Sequence, residues 1–150
     1  LREENEEIMR AFEAEYDFSP VYFFNSGDSE ALRRGDYDEV TFFDFNRNTV
    51  DLDLGKTYFL TAEFGNVQPD TGKVKGDYIY TKDETGVKQE KTYTSAPDPG
   101  FGALIIMSDQ FIQLADPFPS YVRTFETLFF LRRDPREVVR RMNDKLHAFY

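Results

Sequence analysis

Asp44-Phe45-Asn46-Arg47-Asn48, followed by Asp51-Leu52-Asp53, is the stretch of this 150-residue chain whose spacing comes nearest to a reactive site. Oxygen side chains at alternate positions can wrap a hard cation such as Ca2+, because each supplies a carboxylate or amide oxygen from one loop. Asp44, Asn46 and Asn48 match the first three ligand positions of a calcium loop. Thr49 then stands where glycine would make the sharp turn, and Gly55 where a bidentate glutamate would close the shell. With a cation bound, Asp44, Asp51 and Asp53 would centre a carboxylate- and metal-dependent hydrolase that activates water without histidine. A polar loop whose Asp and Asn side chains satisfy turn backbone explains the same residues with no metal and no cofactor.

Other reactive chemistry is scarce. The chain has no cysteine, no tryptophan and one histidine, His147. Thiol nucleophiles, dithiol redox chemistry and cysteine-ligated metal centres are thereby excluded. His147 falls near the end of a predicted helix, where a favourable interaction with the helix dipole accounts for it. The turn Asn25-Ser26-Gly27-Asp28-Ser29 precedes a short helix and has the geometry of an anion site, but Asp28 would repel phosphate. The 28 acids are too numerous for the sequence to single out a general acid–base pair. Tyr78, Tyr80 and Tyr93 stand out differently. Aromatics on a polar edge hairpin can grip a protein partner or a glycan ring through their faces while their hydroxyls hydrogen-bond. Cross-strand pairing within the hairpin is the structural alternative.

Composition narrows the class of molecule. With 40% hydrophobic residues, 16 Phe and 9 Tyr, the chain can bury a compact core without staples. The net charge of −10 is uneven: residues 1–122 hold 11 basic and 24 acidic residues, and residues 123–150 hold 7 and 4. An acidic body repels phosphate backbones, so nucleic acid is not an expected partner. The arginines of the basic tail are expected to face water or pair with the acidic body. No transmembrane stretch is read from the sequence. A start at Leu1 rather than Met suggests a secreted or periplasmic protein whose leader has been removed, with the cytoplasm as the alternative.

These residues must be positioned by elements the sequence outlines. The first fifteen residues read as a helix, with Ile8, Phe12 and Tyr16 on one stripe and Met9 beside them. Val21–Phe24 and Val40–Phe43 read as short buried strands around a helix from Ser29 to Arg34 ended by Gly35, which suggests a parallel crossover. Thr57–Phe64 alternates as a strand, and a glycine- and proline-bearing loop follows over 65–76. Asp77–Thr81 and Val87–Thr94 form a polar hairpin expected to protrude or to lie at a sheet edge. Ala103–Met107 and Gln110–Leu114 read as a second hairpin, and Tyr121–Arg133 as a helix capped by Ser120. Asp134-Pro135-Arg136-Glu137 opens the last helix with a cap and a proline at its first position. Val138, Val139, Met142, Leu146 and Phe149 are its predicted buried stripe.

Strand-helix-strand first and hairpin-helix last resembles the element order of thioredoxin-like folds, with Pro97 and Pro99 where that fold often carries a cis proline. The two-cysteine motif is missing, so the resemblance implies at most a redox-inactive scaffold. The expected fold is a single α+β domain over residues 1–150, with α/β as the alternative: a mixed sheet, helices packed on it, and hairpin 77–94 projecting. The expected function is a non-catalytic binding or assembly module outside the cytoplasm.

Overall fold

The computed structural model describes residues 2–67, 77–82, 88–93, 101–126 and 130–150, with the backbone alone for Arg2, 77–82 and 88–93. Helix α1, Arg2–Glu15, opens the chain with Glu3 and Glu4 in its first turn, where negative charge complements the helix dipole. Ala11 and Phe12 are buried, and Ile8 and Tyr16 pack against the same cluster, as the apolar spacing predicts.

Strands β1 (Phe23–Phe24), β2 (Phe42–Phe43) and β3 (Thr49–Val50) form a small sheet in that order. Between β1 and β2 lies α2, Ser29–Arg34. The parallel crossover expected here does not form, because β1 and β2 pair antiparallel with Phe23 opposite Phe43. The physical reason is the brevity of α2, about 9 Å at 1.5 Å per residue. Gly35 then takes the left-handed conformation at φ 81, its N–H returning to the carbonyls of Ala31 and Leu32, and the chain doubles back. Only glycine adopts that conformation without a Cβ penalty.

The larger sheet contains β4 (Thr61–Asn66), β7 (Gly102–Met107) and β8 (Tyr121–Arg123), with β7 in the middle and both pairings antiparallel. Its strands alternate as the pleat requires. Leu104, Ile106 and Val122 face α1 and the last helix, α3 (Pro135–Phe149), joining Ala11, Val138, Val139, Met142 and Leu146. Ala103, Ile105 and Met107 face the other way, with Val67, Phe101, Phe111 and Tyr121. Phe111 also packs against the cluster of Leu32, Val40 and Phe42, so it links the two sheets. Both helices therefore lie on one face of the larger sheet, unlike the two-faced covering a thioredoxin-like order implies.

The architecture is α+β, and every described ladder is antiparallel rather than mixed. The predicted helix over 121–133 is replaced at its start by β8. Ser120 offers its carbonyl to the Ile106 N–H at 2.7 Å and is buried, so pairing with β7 overrides the helical spacing. Thr57–Leu60 are not in the predicted strand, which instead runs on to Asn66. After β7, the chain makes a turn closed by Ser108 N–H to the Ile112 carbonyl, and only the Met107–Gln113 bridge remains of the second hairpin. The place beside β7 is taken by β8. The first hairpin does form, from β5 (Asp77–Lys82) and β6 (Lys88–Tyr93), paired to each other. The Asp116–Pro117 peptide is cis, whereas Pro97 and Pro99 lie outside the described residues.

Helix α3 follows its sequence signature closely. Asp134 accepts the Glu137 N–H at 2.8 Å and Pro135 occupies the first turn. Val138, Val139, Met142 and Leu146 are at most 2% exposed, but Phe149 is 43% exposed. It leaves the core stripe and contacts Phe118 and Tyr150 instead. The basic tail pairs with the acidic body, as Arg136 grips Glu15 of α1 through Nε and Nη2 at 3.0 and 2.6 Å.

Candidate functional site

Residues 44–48 form the turn of the β2–β3 hairpin. Asp44 Oδ1 accepts the N–H groups of Asn46 and Asn48, both at 2.8 Å, and Oδ2 accepts Asn48 Nδ2 at 3.0 Å. The Asn48 side chain and these N–H groups hold the Asp44 carboxyl below the ordinary carboxylate range. Arg47 completes the turn at φ 64 and reaches Glu6 of α1 at 2.7 Å. Asp53 pairs with Lys56 at 3.2 Å, and Asp51 is exposed. Among the described residues, no group of three acid or histidine side chains is placed to hold a metal. Asp44, Asp51 and Asp53 are therefore not brought together. Both carboxylate oxygens of Asp44 are engaged by the turn itself.

The tyrosine hairpin has a definite register. Tyr78 lies opposite Thr92, Tyr80 opposite Glu90, and Tyr93 opposite Asp77. With a period of two, Tyr78 and Tyr80 occupy one face of the ladder and Tyr93 the register position of the other. The three do not form a single row.

His147 belongs to a cluster that no sequence motif announces. Its Nε2 lies 2.8 Å from Asp17 Oδ1, and Asn143 Nδ2 donates to that oxygen at 2.9 Å. Asn143 Oδ1 in turn accepts the N–H groups of Asp17 and Phe18 at 3.2 and 3.1 Å. The His147 bond, then Asn143, pulls the Asp17 carboxyl below its usual range. Phe18 stands edge-on to the imidazole at 5.2 Å between centroids. Asn143 and His147 are four residues apart on α3, so one helix face presents both to the chain leaving α1. Through these contacts α3 holds the chain that leaves α1. The cluster is a clamp.

A concavity lies at the opposite end of α3. A groove of about 680 Å³ runs between the first turns of α1, the end of β4 and the start of α3. Glu4, Glu7 and Ile8 contribute one wall at helical spacing. Phe64 to Asn66 contribute the sheet end, and Thr124, Glu126 and residues 132–135 the remainder. Thr124 is buried, with its N–H on the Gly102 carbonyl at 2.9 Å and its hydroxyl on Glu126 at 3.3 Å. A Cβ on Gly102 would meet Thr124 Oγ1 at 2.7 Å, so glycine is what lets this turn close on the strand. Phe125 sits at φ 55 with the Arg133 guanidinium 4.6 Å over its ring, a conformation that is strained for an aromatic residue. The sequence signals only the helical spacing of Glu4, Glu7 and Ile8. Their convergence with Glu126 and Arg132 depends on tertiary packing. No helix among the described residues is long and apolar enough to cross a membrane. The chain matches no family model, no curated protein and no solved structure with which it was compared.

Proposed function

We propose that this protein is a non-catalytic binding or assembly module that receives its ligand in the groove between α1 and the start of α3. The observation that carries the reading is the groove itself: an open concavity of about 680 Å³ with Ile8, Phe64 and Pro135 beside charged side chains of both signs. Apolar surface supplies binding energy and the charged rim supplies orientation. The sole imidazole is tied to Asp17 at the far end of α3, about 18 Å along the helix axis from its first turn at 1.5 Å per residue. It therefore lies away from anything held in the groove. Tyr78 and Tyr80, sharing one face of the β5–β6 ladder by register, offer a second contact surface for a protein or glycan partner.

A photoreactive amino acid placed at Glu7, and separately at exposed Asp51, tests the groove. The expected result is a discrete adduct in native extract from position 7 and none from position 51. Steady turnover of ester, phosphate or glycoside substrates by the purified, chelator-treated chain would overturn the non-catalytic reading.

A further inference from the structure

The groove's ligand class follows from which of its charges already have partners, and this inference rests on the binding-module reading. Arg133 is committed: Nη1 donates to the Arg123 carbonyl at 3.1 Å, and Nε faces Glu137 at 3.6 Å. Asp134 is committed as the cap of α3. Among the described residues, the Glu126 side chain takes only the Thr124 hydroxyl. The side chains of Glu4, Glu7 and Arg132 line the groove with no hydrogen bond or ion pair to any described residue. Helix α1 sends Glu15 to Arg136 and Glu6 to Arg47, yet leaves Glu4 and Glu7, one turn apart, on the groove wall. Among the described residues that line the groove, the Glu4, Glu7 and Glu126 carboxylates thus stand without an ion pair, against the uncommitted Arg132 guanidinium.

We infer that the groove receives an extended basic peptide segment. Its Lys or Arg side chains meet Glu4, Glu7 and Glu126, its apolar side chains cover Ile8 and Phe64, and a backbone carbonyl meets Arg132. Charge complementarity selects a cationic occupant, and the net charge of −10 steers it inward. The apolar floor selects a peptide over a small hydrophilic cation. A bare metal ion is disfavoured because no group of three acids among the described residues could ligate it.

The test titrates the full 15N-labelled chain with an acetylated, amidated peptide of alternating lysine and valine. A glutamate–valine peptide and spermidine serve as comparisons. The lysine peptide is expected to saturate and to shift the amides of residues 4–8, 64–66 and 124–126. The variant carrying both Glu4→Gln and Glu7→Gln is expected to weaken it roughly two- to thirtyfold, the range for two exposed ion pairs, whereas Asp51→Asn leaves it unchanged. Equal weakening by Asp51→Asn, equal binding of spermidine, or shifts confined to other surfaces would overturn the inference. Discrete crosslinking at position 7 without preference for the lysine peptide would overturn the basic-peptide assignment and leave the binding-module reading standing. Failure of both would remove the two together.

Discussion

His147 Nε2 and Asp17 Oδ1 lie 2.8 Å apart and join positions separated by 130 residues. The bond fastens the connector after α1 to the last turn of α3, beside the Asn143 amide that accepts two N–H groups from the same connector. Both partners are largely exposed, so water screens the pair and its worth lies in fixing geometry.

That geometry has a pH signature. The folded carboxyl of Asp17 is held below its ordinary range by His147 and Asn143. Its contribution to stability is therefore present above the unfolded Asp value of about 3.9 and is lost as pH falls through the lower folded value. Between about pH 6 and about pH 2, Tm should fall less steeply in Asp17→Asn than in the parent chain. Identical slopes would show that the carboxylate is not linked to folding.

Asn143→Ala removes the acceptor for the Asp17 and Phe18 N–H groups, of which the Phe18 group is partly buried. A cost of about 1–2 kcal/mol is expected, as for a partly buried donor left unpaired, measured by chemical denaturation. A cost indistinguishable from zero would mean that water replaces the amide fully.

The core predicts a contrast. Leu104, 1% exposed, packs among α1, α3 and β8, and Leu104→Ala should cost about 2–5 kcal/mol. Phe130 is 83% exposed, so Phe130→Ser should change stability by no more than about 0.5 kcal/mol. Similar losses from both would contradict the position of the core.

At the β2–β3 turn, Asp44→Ala deletes the acceptor of three hydrogen bonds and should lower Tm to the same extent with or without millimolar Ca2+. The parent chain should show no calcium-dependent rise. A rise that vanishes in Asp44→Ala would instead establish a cation site, since a ligand that binds only the folded state must raise Tm.

Local rules made several elements legible. The stripe of α1, the six-residue helix closed by Gly35, the Asp134-Pro135 start of α3 and the hairpin of Asp77–Tyr93 depend on neighbours within a few residues, and the sequence contains those neighbours. Tertiary structure decided what local spacing leaves open. Tyr121–Arg123 has apolar spacing compatible with a helix, yet β7 needed a partner for its free edge and took it as a strand. Phe149 continues the helical stripe in sequence, but the core ends one turn earlier and leaves it exposed.

The candidate site follows the same division. Which side chains exist, and the helical spacing of Glu4, Glu7 and Ile8, belong to the sequence. The meeting of Glu7 with Phe64, Glu126 and Arg132 around one groove, like that of Asp17 with His147, is a long-range event. It arises from two helices packing on one face of a sheet, and no spacing along the chain encodes that distance.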